Sequence, residues 1–192
     1  MGDALDRAIL FAAEVHKGQR RKGAGRLPYI VHPIHVLEKL VDAGVDDEDV
    51  LVAAVLHDTV EDSESPEHTM VKIADDFGER VLDIVVELSF MPGLPHGAAR
   101  KEAKTKYLAG FKDKSIESRV VKLADRIDNL ESQPTDPVAY AMDAKVLLDA
   151  TSAAAKHPLY EALVSLHLDL WYLVVDTNYI HEHGGWTALG VL

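Results

Sequence analysis

The chain has no cysteine in its 192 residues, which removes disulfide frameworks and thiolate metal ligation from the start. Basic residues are scarce: 20 lysines and arginines stand against 32 aspartates and glutamates, a formal net charge of −12. That balance argues against general binding to a nucleic-acid polymer or to an anionic membrane. No apolar run approaches the ~20 residues needed to span a bilayer, and the N-terminus lacks the apolar stretch of a signal peptide. Strand-like alternation, internal repeats, low-complexity segments, a phosphate-binding P-loop and a nucleophilic triad are all missing as well. What remains is 47% apolar and 27% charged, the composition of an ordinary globular protein. The length suits one domain over 1–192, and a cytoplasmic location is compatible with all of this.

The periodicity is helical nearly throughout, which predicts an all-α fold. Asp3 offers an N-cap, followed by Leu5, Ile9, Ala12 and Ala13 on one face. Pro33 suits the first turn of a helix carrying Ile34, Leu37, Leu40 and Val41, with Gly44 closing it. The stretch DDEDVLVAAVLHD begins acidic, as the positive end of a helix dipole favours, and becomes apolar. Two helices separated by Gly78 follow, then the breaker MPGLPHG. After it come AARKEAKTKYLAGF and SIESRVVKLADRIDNLE, then late helices over 138–155 and 158–175 within a C-terminal part spanning 137–176.

Charge is unevenly placed. Residues 16–26, HKGQRRKGAGR, hold Lys17, Arg20, Arg21, Lys22 and Arg26 with no acid among them. A basic island in an acidic protein suits a small polyphosphate; a solvated loop is the plain alternative.

At the end of the apolar helix stand His57 and Asp58, with Glu61 and Asp62 each four residues further on. Neighbouring positions differ by about 100° around a helix, so His57 and Asp58 reach one centre only near the helix end. If the helix continues one turn, each acid lies over one member of the pair. His32, directly before Pro33, and Asp125, set among Val121, Leu123, Ala124, Ile127 and Leu130, are candidates to complete a metal shell. Asn129 shares the Asp125 face. Two imidazoles and two carboxylates suit Mn²⁺, Fe²⁺ or Zn²⁺. Spacing alone balances this against a capped histidine, a chance His-Asp pair and an ion-paired aspartate.

The stretches AAEVHKGQRRKGAGRLPYIVHPIHV, AAVLHDTVEDS, IADDFGERV and VVKLADRIDNL, in that order over 12–130, resemble the HD metal-dependent phosphohydrolases. Within these the chain is similar to the hydrolase domain of the Rel/Spo stringent-response enzymes in its stand-alone form, the small alarmone hydrolases. The resemblance implies a helical bundle with Mn²⁺ held by His32, His57, Asp58 and Asp125. It assigns acid–base and water-positioning roles to Glu61 and Asp62. It brings Arg21, Lys22, Lys122 and Asn129 to a small-molecule nucleotide. The implied reaction removes the 3′-pyrophosphate of guanosine tetra- or pentaphosphate, with no nucleic-acid polymer and no membrane; a homo-oligomer is compatible with it. Adenine alarmones, the 2′-phosphate of NADPH, and a non-catalytic nucleotide sensor are the alternatives.

The chain departs from the family pattern at Ser89, where a threonine is usual, and at Asp128 and Glu131, which replace less acidic residues. Of the other polar residues, His35 and the pair His181 and His183 read as surface positions. Arg100, Lys101, Lys104 and Lys106 read either as phosphate contacts or as a solvated helix face. Tyr140 reads either as a stacking platform or as core.

Overall fold

Glu48–Leu56 explains the architecture best, because from Val50 to Leu56 every side chain is buried. A helix apolar on all sides needs neighbours on all sides. In the computed structural model, which describes residues 3–21, 26–90, 93, 95, 97–132, 136–151 and 157–183, with side chains to residue 177, those neighbours are helices. We number the described helices α1 (Asp3–Val15), α2 (Val31–Asp42), α3 (Glu48–Leu56), α4 (Pro66–Phe77), α5 (Glu79–Leu88), α6 (Ala98–Ala109), α7 (Ile116–Glu131), α8 (Pro137–Ala150) and α9 (Tyr160–His183). A 3₁₀ turn, Gly110–Asp113, joins α6 to α7. Among the described residues the only bridge between extended backbone is an isolated one, Arg20 with Pro28. No described helix is long and apolar enough to cross a membrane.

Helix α3 packs against α1, α2, α5 and α7, while α7 also meets α8 and α9. Leu40, Leu56, Leu88, Leu123, Leu147 and Leu163 are fully buried in one continuous core. Each such leucine stabilises the fold by roughly 1.5–3 kcal/mol over its exposed state. The Asp47 carboxylate caps α3 by accepting from Asp49 N at 3.1 Å. Arg80 then ties Asp47 (2.7 Å) and Asp49 (2.8 Å) to the start of α5. Gly78, at φ 95°, makes the bend between α4 and α5, a conformation in which a Cβ is strained.

Two sequence expectations shift. Helix α2 buries His32, Pro33, Val36 and Leu40, whereas Ile34 and Val41 are exposed. The buried stripe is rotated because a histidine and a proline belong to it. The late helices also move: α8 stops at Ala150, where Thr151 leaves helical geometry and its hydroxyl bonds Leu147 O, and α9 runs on to His183.

Candidate metal centre and its cleft

Two helix ends and one long helix converge on a small buried centre. His57 caps the C-terminus of α3 and is fully buried. Its Nδ1 lies 2.8 Å from Ala54 O, and a carbonyl only accepts, so Nδ1 carries the proton. His32, in the first turn of α2, has Nδ1 2.6 Å from Asp128 Oδ2, which fixes the same tautomer. Each ring, when neutral, thus turns a lone pair on Nε2 inward; without a cation between them, burial lowers the His32 imidazole but Asp125, Asp128 and Asp58 raise it to about 9, so that its Nε2 takes up a proton instead. Both Nε2 atoms are buried and have no hydrogen-bond partner. Two orphaned acceptors facing one point are costly unless something electrophilic sits between them.

The carboxylates close the ring. Asp58 Oδ2 lies 3.0 Å from His57 Nε2 and 3.6 Å from His32 Nε2. Asp125 Oδ1 lies 3.2 Å from His32 Nε2 and 3.9 Å from His57 Nε2. One donor atom each from His32, His57 and Asp58 falls within 4.8 Å of the others. The donor set fits a divalent cation: two neutral imidazoles, and two carboxylates that balance its charge.

Surrounding groups keep these carboxylates ionised. Burial pushes Asp58 up, but positive charge on the His57 and His32 rings, in the place a bound cation would take, holds it below the ordinary carboxylate range. Asp125 is likewise pushed up by burial and held well below that range by Lys122 and His32. Lys122, buried on the same helix, reaches Asp125 Oδ2 at 2.8 Å. Tyr29 donates its hydroxyl to Asp58 Oδ2 at 2.6 Å, and burial beside Asp58 keeps that phenol protonated. Tyr29 went unnoticed in the sequence; only its place three residues before His32 pointed to it.

After Leu56 the chain forms turns rather than a continuing helix, and Asp62 N bonds Asp58 O at 2.9 Å. Glu61 and Asp62 therefore reach the cleft, but not by the regular helical stacking that the spacing suggests. Glu61 Oε2 accepts from Phe90 N at 2.9 Å. Burial, with Asp58 next in weight, raises the Glu61 carboxyl above its ordinary value. Asp62 lies 3.7 Å from His16 Nδ1.

Tyr29, Asp58, Glu61, Asp62, Lys122 and Asp125 border a cleft of about 540 Å³, walled also by Arg21, Lys104, Arg126 and Tyr140. The Arg21 guanidinium is drawn onto α7, where it bonds Asp128 (2.7 Å), Asn129 (3.2 Å) and Ser132 (2.6 Å). Asn129 in turn donates to Asp125 Oδ1 at 2.5 Å. Lys22 lies outside the described residues.

Asp128 is the residue whose role the sequence reading missed. Noted there only as a departure, it is a buried hub that accepts from His32, His35 (2.9 Å) and Arg21. Its burial opposes ionisation, but His32 and Arg21 hold it below the usual range. The available signal was a second aspartate three residues after Asp125, where both share one helix face. His35 is only half at the surface, since its ring is tied to this hub.

The other polar candidates divide. Ser89 donates to Val85 O at 2.8 Å, and so closes α5. Lys106 pairs with Glu102 at the surface, whereas Lys104 lines the cleft and bridges Asp143 at 2.7 Å. Arg100 lies over the Phe90 ring, and Lys101 is exposed. His181 and His183 fall in the last turn of α9, and their side chains lie outside the described ones.

Comparison with known proteins points the same way. A guanosine-3′,5′-bis(diphosphate) 3′-pyrophosphohydrolase of Aquifex aeolicus is 36% identical over 131 residues, 68% of this chain and 18% of that protein. The enzymes of that name called MESH1 are 41% identical over 124 residues in Xenopus tropicalis and 40% over 121 in Homo sapiens. The matched stretch spans 65% and 64% of their respective lengths, and 64% and 62% of this chain. A solved structure described as a metazoan ortholog of SpoT that hydrolyses ppGpp superposes with a TM-score of 0.75 at 28% identity, covering 92% of this chain and 96% of that one. The HD domain signature itself matches residues 8–148, which takes in most of α1, all of α2 to α7 and most of α8. An all-helical bundle, a histidine–aspartate pair at the end of its central helix and a match of that extent establish that the chain belongs to the HD domain family.

Proposed function

We propose that the protein is a metal-dependent hydrolase that removes the 3′-pyrophosphate of guanosine 3′,5′-bis(diphosphate), releasing pyrophosphate and GDP. The observation that carries this reading is the pair of buried Nε2 atoms of His32 and His57, without a hydrogen-bond partner, beside two carboxylates that line a cleft with cationic walls. The relatives that carry this activity in their names support the choice of substrate.

His32, His57, Asp58 and Asp125 would hold the metal, with Mn²⁺ the ion we favour. When bound, a divalent cation polarises a phosphoryl oxygen and acidifies water. Glu61 takes the proton of the attacking water as the new phosphorus–oxygen bond forms. Its raised pKa suits that exchange, because a base is most effective when its pKa approaches the working pH. As the bond between phosphorus and the 3′-oxygen breaks, a proton returned to that oxygen completes GDP. Lys122 stays cationic beside Asp125: burial lowers it, but Asp125 more than restores it. Lys122 and Arg21 offset charge on the phosphates, Asn129 orients the nucleotide, and Asp62 helps to place the water. Lys22, next to Arg21 in the sequence, is assigned to the same nucleotide by this proposal.

A cytoplasmic setting and a small-molecule partner belong to the same proposal. The test is chromatographic resolution of products from guanosine 3′,5′-bis(diphosphate), its adenosine counterpart and NADPH. Pyrophosphate from the first supports the reading. Inorganic phosphate from NADPH alone, or binding without turnover under several metals, replaces it.

A further inference from the structure

The last carbonyls of a helix have no partner within it, and at the end of α5 two of them are met from the α6–α7 junction. Lys114 Nζ donates to Glu87 O at 2.5 Å, and the Tyr107 hydroxyl donates to Leu88 O. A cation at a helix C-terminus also faces the negative end of the helix dipole. Two rings hold the ammonium there: it lies 3.9 Å from the centres of both Tyr107 and Phe111, whose faces attract a cation. Burial and Lys122 lower the Lys114 amine to about 8, so it is charged at neutral pH. The Glu87 carboxylate completes the staple by accepting from Ser115 N at 3.1 Å.

Two residues beyond Leu88 the chain meets the candidate active site. Ser89 is extended, and Phe90 N donates to Glu61 Oε2 at 2.9 Å. The Phe90 ring lies 5.2 Å from the Tyr107 ring, so the same corner is packed as well as bonded. Glu61 is the residue assigned above to deprotonate water, and the Phe90 amide is its described hydrogen bond. Where that amide sits depends on where α5 stops, and Lys114 and Tyr107 pin the stop. Phe90 and Tyr107 border the cleft, whereas Lys114 does not. Lys114 therefore reaches the chemistry through the corner it holds rather than by touching substrate.

We propose that Lys114 is a positioning residue for Glu61: by clamping the end of α5 it fixes the Phe90 amide, which in turn orients the Glu61 carboxylate toward the attacking water. This rests on the proposed hydrolysis and deepens it. A displacement of ~1 Å at a reacting group can cost about 10²-fold in rate. The clamp thus acts on turnover and not on nucleotide affinity.

A double-mutant cycle on kcat, at neutral pH and saturating metal, tests the assignment. Lys114→Met keeps the length of the side chain but removes its charge and its donor. With Glu61 intact it is expected to lower kcat by roughly 10- to 100-fold. KM should stay within about 2-fold of wild type. In the Glu61→Gln background the same change is expected to cost less than about 2-fold, because the base it positions is already gone. Lys114→Arg keeps a cation with donors and should recover most of the rate. Amide hydrogen exchange at Phe90 in metal-free protein gives a reading without turnover. Lys114→Met should speed it, Lys114→Arg should not, and the amides of α3 should be unchanged in both. An equal loss of kcat in both backgrounds assigns Lys114 to general stability and overturns the proposal. An undiminished kcat, or a Phe90 amide as slow as in wild type, overturns it too. If Lys114→Met does not fold, Lys114→Gln carries the same cycle. A wild type that turns over no nucleotide sinks the hydrolase reading, while faster Phe90 exchange in Lys114→Met leaves the clamp on that amide standing.

Discussion

Asp128 Oδ2 lies 2.6 Å from His32 Nδ1 and 2.7 Å from Arg21 Nη2, so one buried carboxylate joins a candidate metal ligand to the basic loop. A carboxylate behind a ligating imidazole fixes its tautomer and raises its basicity; losing it typically costs ~10- to 100-fold in metal affinity. Asp128→Ala is expected to weaken Mn²⁺ by about that factor in a calorimetric titration. It also strands Arg21 and His32, so the metal-free variant should lose about 3 kcal/mol of stability. Unchanged affinity would remove Asp128 from the support of the centre.

Histidine 57 and its neighbour allow a sharper test of the ligands. His57→Ala and Asp58→Ala each leave too few donors for a stable divalent complex. Elemental analysis of either variant, purified in parallel with wild type, should show the metal gone and activity with it. Full occupancy would exclude the altered residue as a ligand.

Glu61→Gln separates chemistry from binding. The amide keeps the shape and an acceptor for Phe90 N but is no base, and general-base catalysis contributes ~10²–10⁴-fold. The variant is expected to retain metal and nucleotide while kcat falls by about that range. Loss of the metal would move Glu61 among the ligands.

Glu61 also fixes a pH dependence. Its folded carboxyl lies above the ordinary value of 4.5 because burial and Asp58 disfavour the anion. The folded state therefore holds this proton where the unfolded chain has released it. The resulting stability is complete below 4.5 and is lost as pH rises through the raised value. Activity runs the opposite way, since the base must be ionised. At saturating metal, kcat should show an acid limb above the ordinary carboxylate range, and Glu61→Gln should lack it. An identical limb in the variant would assign it to another group.

Much of this was legible in sequence because the site lies at helix ends that the pattern marks clearly. Pro33, the apolar run to Leu56 and the buried setting of Asp125 gave both the helices and the converging residues. The face of α2 was misread because Ile34 and Val41 look like core, while His32 is held inward by a carboxylate from a distant helix. Asp128 and Tyr29 escaped for the same reason. Their roles depend on partners that sequence spacing does not reveal: Asp128 on His32 and Arg21, and Tyr29 on Asp58.

The most direct test is to strip the protein of metal and add Mn²⁺ stepwise, following pyrophosphate release from guanosine 3′,5′-bis(diphosphate). A single centre built from His32, His57, Asp58 and Asp125 predicts release that rises in proportion to occupancy and saturates at about one ion per chain. Release at the full rate by metal-free protein, or none at full occupancy, would contradict it.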